Sequence, residues 1–183
     1  MHVIETEIPA VKVLLPKKFG DHRGFFSEVF SRKSAADAGI AAEYVQDNHS
    51  LSAEKGIVRA LHYQIAPMAQ DKLVRVIRGA ILDVAVDIRR SSPTFGRHVA
   101  VVLSAENWKQ LFVPIGFAHG FVTLEPNTEV LYKVTNYYSP THERGIRWND
   151  PQLGIAWGVG EDAAVLSERD RRHPMFGSAQ DLF

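Results

Sequence analysis

The sequence predicts an all-β fold, a sandwich or barrel of many short strands, and three observations carry the prediction. Apolar runs of roughly four to eight residues are separated by turn residues along most of the chain. Helical periodicity is confined to short stretches. The 183 residues suffice for one sizeable core, since chains of this length bury about 70 % of the surface that the unfolded chain exposes, so residues 1–183 read as a single domain.

The elements follow in order. "VKVLLP" and "GFFSEVF" open the series as strands, and "SRKSAADAGI" breaks it with a short helix that has Ser31 at its start and Gly39 near its end. "GIVRALHYQ", "DKLVRVIRGAILDVAVDI", "HVAVVLS", "KQLFVP", "GFVTLE" and "EVLYKVTNYY" supply the remaining strands. The tail "GEDAAVLSERDRRHPMFGSAQDLF" is weakly helical or irregular and polar enough to wrap across the outside of a β core.

Composition narrows the function classes. With 21 basic and 21 acidic side chains there is no net charge to attract nucleic acid or an anionic membrane, although an anion can still be held locally. The absence of Cys removes disulfide and thiolate chemistry and fits a reducing compartment, the cytoplasm by default. The start "MHVIETEIPAVKVLLP" lacks the basic segment and apolar region of a signal peptide, and no run approaches the ~20 apolar residues of a membrane span.

Period-two alternation assigns faces. Even positions Val74, Val76, Leu82, Val84, Val86 and Ile88 are apolar, so Lys72 begins a face that otherwise reads as core, with Gly79 as a place where the strand can bend. A lone buried ammonium is costly, which makes that placement unusual. Val130, Tyr132, Val134 and Tyr138 share one parity, against Glu129, Leu131 and Lys133. In "GIVRALHYQ", Arg59 and His62 have opposite parity. Either a bulge lies between them, or Arg59 serves the rim or a neighbouring subunit.

The spacing of Gly56, His62 and Gln64, with Lys72 six residues before Gly79, resembles the first signature of cupin β-barrels, and "PIGFAH" (Pro114, Gly116, His119) resembles the second. At the metal-ligand positions His62 and His119 remain, but Gln64 stands for a histidine and Lys72 for the carboxylate. An ammonium has no lone pair and repels a dication, so the expectation is no metal. An imidazole beside an ammonium suits another task, in which His removes a proton next to a carbonyl and Lys stabilises the resulting oxyanion.

"DHRGFFSEVF", "QDNHSLSAEKGIVRALHYQ", "PIGFAHGF", "LYKVTNYYSP" and "GIRWNDPQLGIAW" together resemble the dTDP-4-dehydrorhamnose 3,5-epimerase family over most of the chain, with a further match at "LSERD". The resemblance implies a cupin-type double-stranded β-helix, or jelly-roll barrel, with a few short peripheral helices. It implies a homodimer without cofactor that acts on a dTDP-linked 4-keto-6-deoxyhexose. The product leads toward dTDP-L-rhamnose, used in lipopolysaccharide or cell-wall polysaccharide. It also implies the roles. His62 is the base, with Asp170 as its carboxylate partner. Lys72 stabilises the enolate, and Tyr132 is the general acid that returns a proton to the opposite face. Arg23, Glu28, Gln46, Asn48, Arg59, His119 and Glu143 surround the nucleotide sugar, with Tyr138 and Arg169 nearby, and Phe19 and Phe26 stack on thymine or close the pocket. Ala60 replaces the usual Gly of "RGLH", and Arg169 the usual Lys before Asp170.

Plainer readings stand beside these. His119 also fits a satisfied core histidine, Tyr132 a strand aromatic, Arg23 with Glu28 an exposed ion pair, Gly24 a simple turn, and Trp148 and Trp157 packing. His173 has no argument beyond its nearness to Asp170. The competing functions are an epimerase of one carbon only, a sugar-binding cupin without catalysis, and a metal-dependent cupin oxygenase.

Overall fold

A computed structural model describes all residues from 1 to 183. Thirteen strands follow one another as β1 His2–Glu5, β2 Lys12–Leu15, β3 Phe19–Asp21, β4 Gly24–Phe26, β5 Gln46–Ser52, β6 Val58–Gln64, β7 Lys72–Arg78, β8 Ala80–Asp87, β9 His98–Ser104, β10 Gln110–Val113, β11 Phe117–Thr123, β12 Thr128–Val134 and β13 Glu143–Gly145. Helix α1 (Arg32–Asp37) lies between β4 and β5, and α2 (Glu168–Arg171) lies in the tail. Ser31 caps α1 by accepting from the Ser34 amide, and Gly39 follows its end at φ 76°.

Two antiparallel sheets face each other, in the orders β1-β2-β10-β7-β12-β5 and β13-β6-β11-β8-β9, while β3 and β4 form a separate hairpin. This is the jelly-roll barrel expected from the sequence. Between the sheets lies a core that includes Val74, Val76 and Val130 from one side and Ile81, Ala85, Phe117 and Phe121 from the other. A second core covers the outer face of the five-stranded sheet, where Val84, Val86 and Ile88 pack with Trp148 and Trp157 and with Phe176 and Ala179 of the tail. A third, smaller cluster joins Leu14, Leu73 and Phe112 to Ala35, Ala38 and Ile40 around α1. The wrapping tail and the packing role of both tryptophans are as expected, with Trp157 Nε1 donating to the Trp148 carbonyl at 2.7 Å.

One face assignment is corrected. Lys72, Val74 and Val76 share the inner side of β7, but the even positions of β8 do not continue it. Val84, Val86 and Ile88 point outward into the core beneath the tail, with Leu82 packed against it, and Ile81 and Ala85 point into the barrel. The reversal falls at Gly79, whose φ of 74° carries the chain from one sheet into the other, so the alternation restarts on the far side of the corner. The strands β1, β3, β5 and β13 were absent from the sequence reading. In β5 the face that looks inward is Gln46, Asn48 and Ser50, so its alternation is polar against polar and carries no hydrophobic signal.

Of the two alternatives left open for Arg59 and His62, the structure has the bulge. His62 pairs with His119 and Arg59 with Phe121, so three steps on β6 oppose two on β11. Ala60 and Leu61, joined by a cis peptide, are both fully buried in the core under the tail, and the strand resumes with its parity inverted. Gly120 sits opposite the bulge, where an added Cβ would collide with the Ala60 Cβ and lie 2.7 Å from its Cα and 2.9 Å from the Arg59 carbonyl. Gly120→Ala should therefore destabilise the fold by about 1–3 kcal/mol and lower activity, read from the urea midpoint and turnover; unchanged values would show that the bulge tolerates the displacement.

Candidate active site

The cavity of about 660 Å³ between the sheets takes side chains from strands of both. The tail closes one side of it. Val165 forms a parallel bridge to Ile57, its amide donating to the Gly56 carbonyl at 3.0 Å and its carbonyl accepting from Val58 at 2.9 Å. That stitch sets α2 beside β6. Ser167 then caps the helix by accepting from the Asp170 amide at 3.1 Å, so Asp170 is held inward and buried. Its Oδ1 lies 2.7 Å from His62 Nε2 across 108 residues of sequence.

Electrostatics follow from this burial. Burial pushes the His62 pKa down, only partly offset by the Asp170 hydrogen bond, with Lys72 and His173 lowering it further. Burial alone would raise Asp170, but the nearby imidazoles of His173 and His62, the second of them hydrogen-bonded to it, outweigh burial and hold the carboxyl well below the usual range. A carboxylate facing Nε2 favours the tautomer with the proton there and leaves the Nδ1 lone pair free. Lys72 on β7 is pushed down to about 8 by burial, opposed by the charges of Asp83 and Glu143. Burial pushes the Tyr132 phenol up, with Arg59 opposing and Glu143 adding to the rise, so it keeps its proton at neutral pH.

Eleven of the fifteen site residues expected from the sequence line this one cavity. They are His62, Lys72, Tyr132 and Asp170 together with Gln46, Asn48, Arg59, His119, Tyr138, Glu143 and Arg169. Arg59 reaches it because of the bulge and donates through Nε to Ser52 Oγ at 3.3 Å. His119 is both a satisfied buried histidine and a wall of the cavity, with Nε2 2.7 Å from Asp83 Oδ1. At the rim Glu143 Oε2 accepts from the Tyr138 hydroxyl at 2.8 Å and pairs with Arg169.

Four expected residues do not line this cavity. Arg23, Phe19 and Phe26 lie on the β3–β4 hairpin, which leans on Trp108 through Phe25 at 5.0 Å between ring centroids. Arg23 pairs with Asp21, and both phenylalanines are exposed, Phe26 at 70 %. Glu28 accepts from Ser34 Oγ at 2.7 Å and Ser31 Oγ at 3.0 Å at the start of α1. Gly24, at φ 131° with open space where a Cβ would be, serves the hairpin turn. Sequence reading also passed over Asp83, which sits in an apolar-looking strand with no spacing motif, and His173, which had only its proximity to Asp170.

The cupin metal positions do not fit a metal. Gln64 donates through Nε2 to the carbonyls of Met68 at 2.6 Å and Tyr137 at 3.1 Å and accepts from the Ser139 amide at 2.6 Å, so its amide anchors loops. Lys72 brings a cation where a carboxylate would be needed. His62, Asp170 and His173 do bring three donor atoms within 4.8 Å of one another. Their arrangement is that of a carboxylate between two imidazoles, with the second at 3.5 Å.

Fold and site thus define a class, a cupin-type barrel whose pocket holds a carboxylate-backed imidazole facing an ammonium and a phenol. Comparison with known proteins narrows it. The family described as dTDP-4-dehydrorhamnose 3,5-epimerase matches residues 5–178. A dTDP-4-dehydrorhamnose 3,5-epimerase of Shigella flexneri is 54 % identical over 93 % of each chain. The Legionella pneumophila enzyme solved in complex with dTDP-4-keto-L-rhamnose superposes with a TM-score of 0.93 at 46 % identity, covering 98 % of this chain and 94 % of that one. A 3'-monoepimerase of Streptomyces bikiniensis shares the fold at 33 % identity and a TM-score of 0.88, over 98 % and 89 % of the two chains. The chain belongs to the dTDP-4-dehydrorhamnose 3,5-epimerase family.

The shifts above set a pH profile. His62 must be neutral to accept a proton, so kcat/KM should rise as pH climbs through a value below that of ordinary histidine; Lys72 must be charged to stabilise an oxyanion, so it should fall as pH passes about 8. Lys72→Arg, charged throughout, should lose the alkaline fall while keeping the acid limb. An alkaline limb unchanged in that variant would assign it to another group.

Proposed function

We propose that this chain, working as a single domain, converts dTDP-4-dehydro-6-deoxy-D-glucose to dTDP-4-dehydro-L-rhamnose by inverting carbons 3 and 5, a cytoplasmic step of dTDP-L-rhamnose biosynthesis. One observation carries the reading. His62 stands on β6 of the five-stranded sheet and Tyr132 on β12 of the six-stranded sheet, so base and acid face one cavity from opposing walls. Inversion requires that a proton leave one face of a carbon and another arrive at the opposite face.

His62 takes the proton on carbon 3 next to the carbonyl, and Asp170 supports the imidazolium that results. Charge moves to the carbonyl oxygen, where Lys72 donates; a donor of this kind is worth roughly 3 kcal/mol of barrier. Tyr132 then protonates the far face, and once His62 has released its proton to solvent and Tyr132 has regained one from it, the same groups serve carbon 5 across the carbonyl. Arg59 and Arg169 offer donors to the diphosphate, with His119 beside the sugar, which accounts for anion binding on a chain of zero net charge.

The working unit is a homodimer in this reading. Arg23, Phe19 and Phe26 sit on a hairpin with its aromatic surface exposed, and a hairpin of this composition has more to gain from covering a second chain's pocket than from solvent. Light scattering should return twice the mass of the chain, and a monomer at assay concentration would count against the shared site.

The reaction is tested in heavy water with dTDP-4-dehydro-6-deoxy-D-glucose. The protein should introduce deuterium and invert configuration at both carbons, whereas label at one carbon would make it a single-site epimerase. His62→Ala should lose exchange and turnover, by at least about 10²–10⁴-fold. Tyr132→Phe should keep part of the exchange while inversion falls. Full activity in either variant would remove its assigned role.

A further inference from the structure

Behind Asp170 lies a second cleft, of about 600 Å³, lined by His173 together with Arg144, Glu143, Arg169 and Asp181. His173 belongs to that cleft, whereas His62 and Asp170 belong to the catalytic one. Yet all three side chains converge on one atom. Asp170 Oδ1 lies 2.7 Å from His62 Nε2 and 3.5 Å from His173 Nε2, and the two imidazoles meet edge to face at 5.5 Å between centroids.

Two observations make this more than proximity. His173 Nε2 is buried and has no aligned hydrogen bond, so that nitrogen has no neighbour to serve except the carboxylate. The space for the ring is created by Gly145, which pairs with His62 in the register of β6 and β13; a Cβ at Gly145 would collide with the His173 ring on three atoms. Strand pairing, glycine and tail therefore combine to seat a second imidazole against the catalytic carboxylate.

We propose that His173 is a positioning residue for the catalytic base, sharing the Asp170 oxygen with His62 and so holding the carboxylate in place while dividing its accepting capacity. The inference rests on the reading of His62 as the base. A base that inverts two carbons in one visit of the substrate must release each proton it takes, and an undivided buried carboxylate would hold the imidazolium too well. His173 loosens that hold, and its own positive charge would act in the same direction as that of Lys72. The other charged and titratable groups around the pair are Glu143 and Arg144 on β13, Arg169 on α2, His119 on β11, Tyr132 on β12 and, at the second cleft, Asp181.

The test uses two variants and one measurement on the unaltered protein. His173→Leu fills the space without a donor, and it should lower kcat about tenfold with KM within about twofold and move the acid limb of kcat/KM up by about one pH unit. His173→Asn restores a donor and should recover most of kcat and return the limb toward its original position. Equal losses in both variants, or an unmoved limb in both, would overturn the proposal and leave His173 as packing. Nitrogen NMR of the unaltered protein keeps the question answerable if a variant fails to fold. A protonated Nε2 on His173 is expected, and an unprotonated Nε2 facing the carboxylate overturns the sharing regardless of catalysis. Absence of deuterium exchange by the unaltered protein would instead overturn the function reading, and the catalytic part of this inference with it.

Discussion

The hydrogen bond between His62 and Asp170 is the contact on which the rest of the site depends. It joins a strand in the middle of the chain to a four-residue helix near its end, and such a helix has no stability of its own. What holds α2 in place is the tail, stitched to β6 at Val165 and packed through Ala164, Phe176 and Ala179 into the core that Trp148 and Trp157 share with the outer face of the five-stranded sheet. The hydrophobic core outside the barrel therefore positions the carboxylate inside it.

The second constraint is the bulge in β6. A regular strand would send Arg59 and His62 to opposite faces, and the extra residue brings both into one cavity while burying Ala60 and Leu61 consecutively on the other side. Gly120 on the neighbouring strand makes the close approach possible. The bulge thus serves the site and the outer core together, which explains why an apolar strand tolerates an arginine and a histidine.

Inside the cavity, burial and charge pull in different directions on each group, and the balance decides its chemistry. Burial keeps His62 neutral and Tyr132 protonated, the states needed in a base and an acid. Lys72 loses basicity to burial, but Asp83 and Glu143 return part of it, so the ammonium persists near neutral pH. The cupin positions that would otherwise hold a metal are occupied by this cation and by a Gln64 amide committed to loop carbonyls.

Much of this was legible in the chain. Alternating apolar residues specified the strands that face a core, the motifs singled out His62, Lys72, Tyr132 and Asp170, and opposite parity at Arg59 and His62 required either a bulge or a displaced Arg59. Alternation says nothing about a strand such as β5 whose inner face is itself polar, and it cannot carry across a corner such as Gly79 where the chain changes sheets. Nor could it place Asp83 against His119, His173 against Asp170, or Arg23, Phe19, Phe26 and Glu28 outside the pocket of their own chain. Period and motif are local properties, so the sequence by itself determined the strands and the chemically competent side chains. Which of them meet is set by sheet pairing and by the path of the tail, contacts between residues far apart in the chain, and only the tertiary structure decided that.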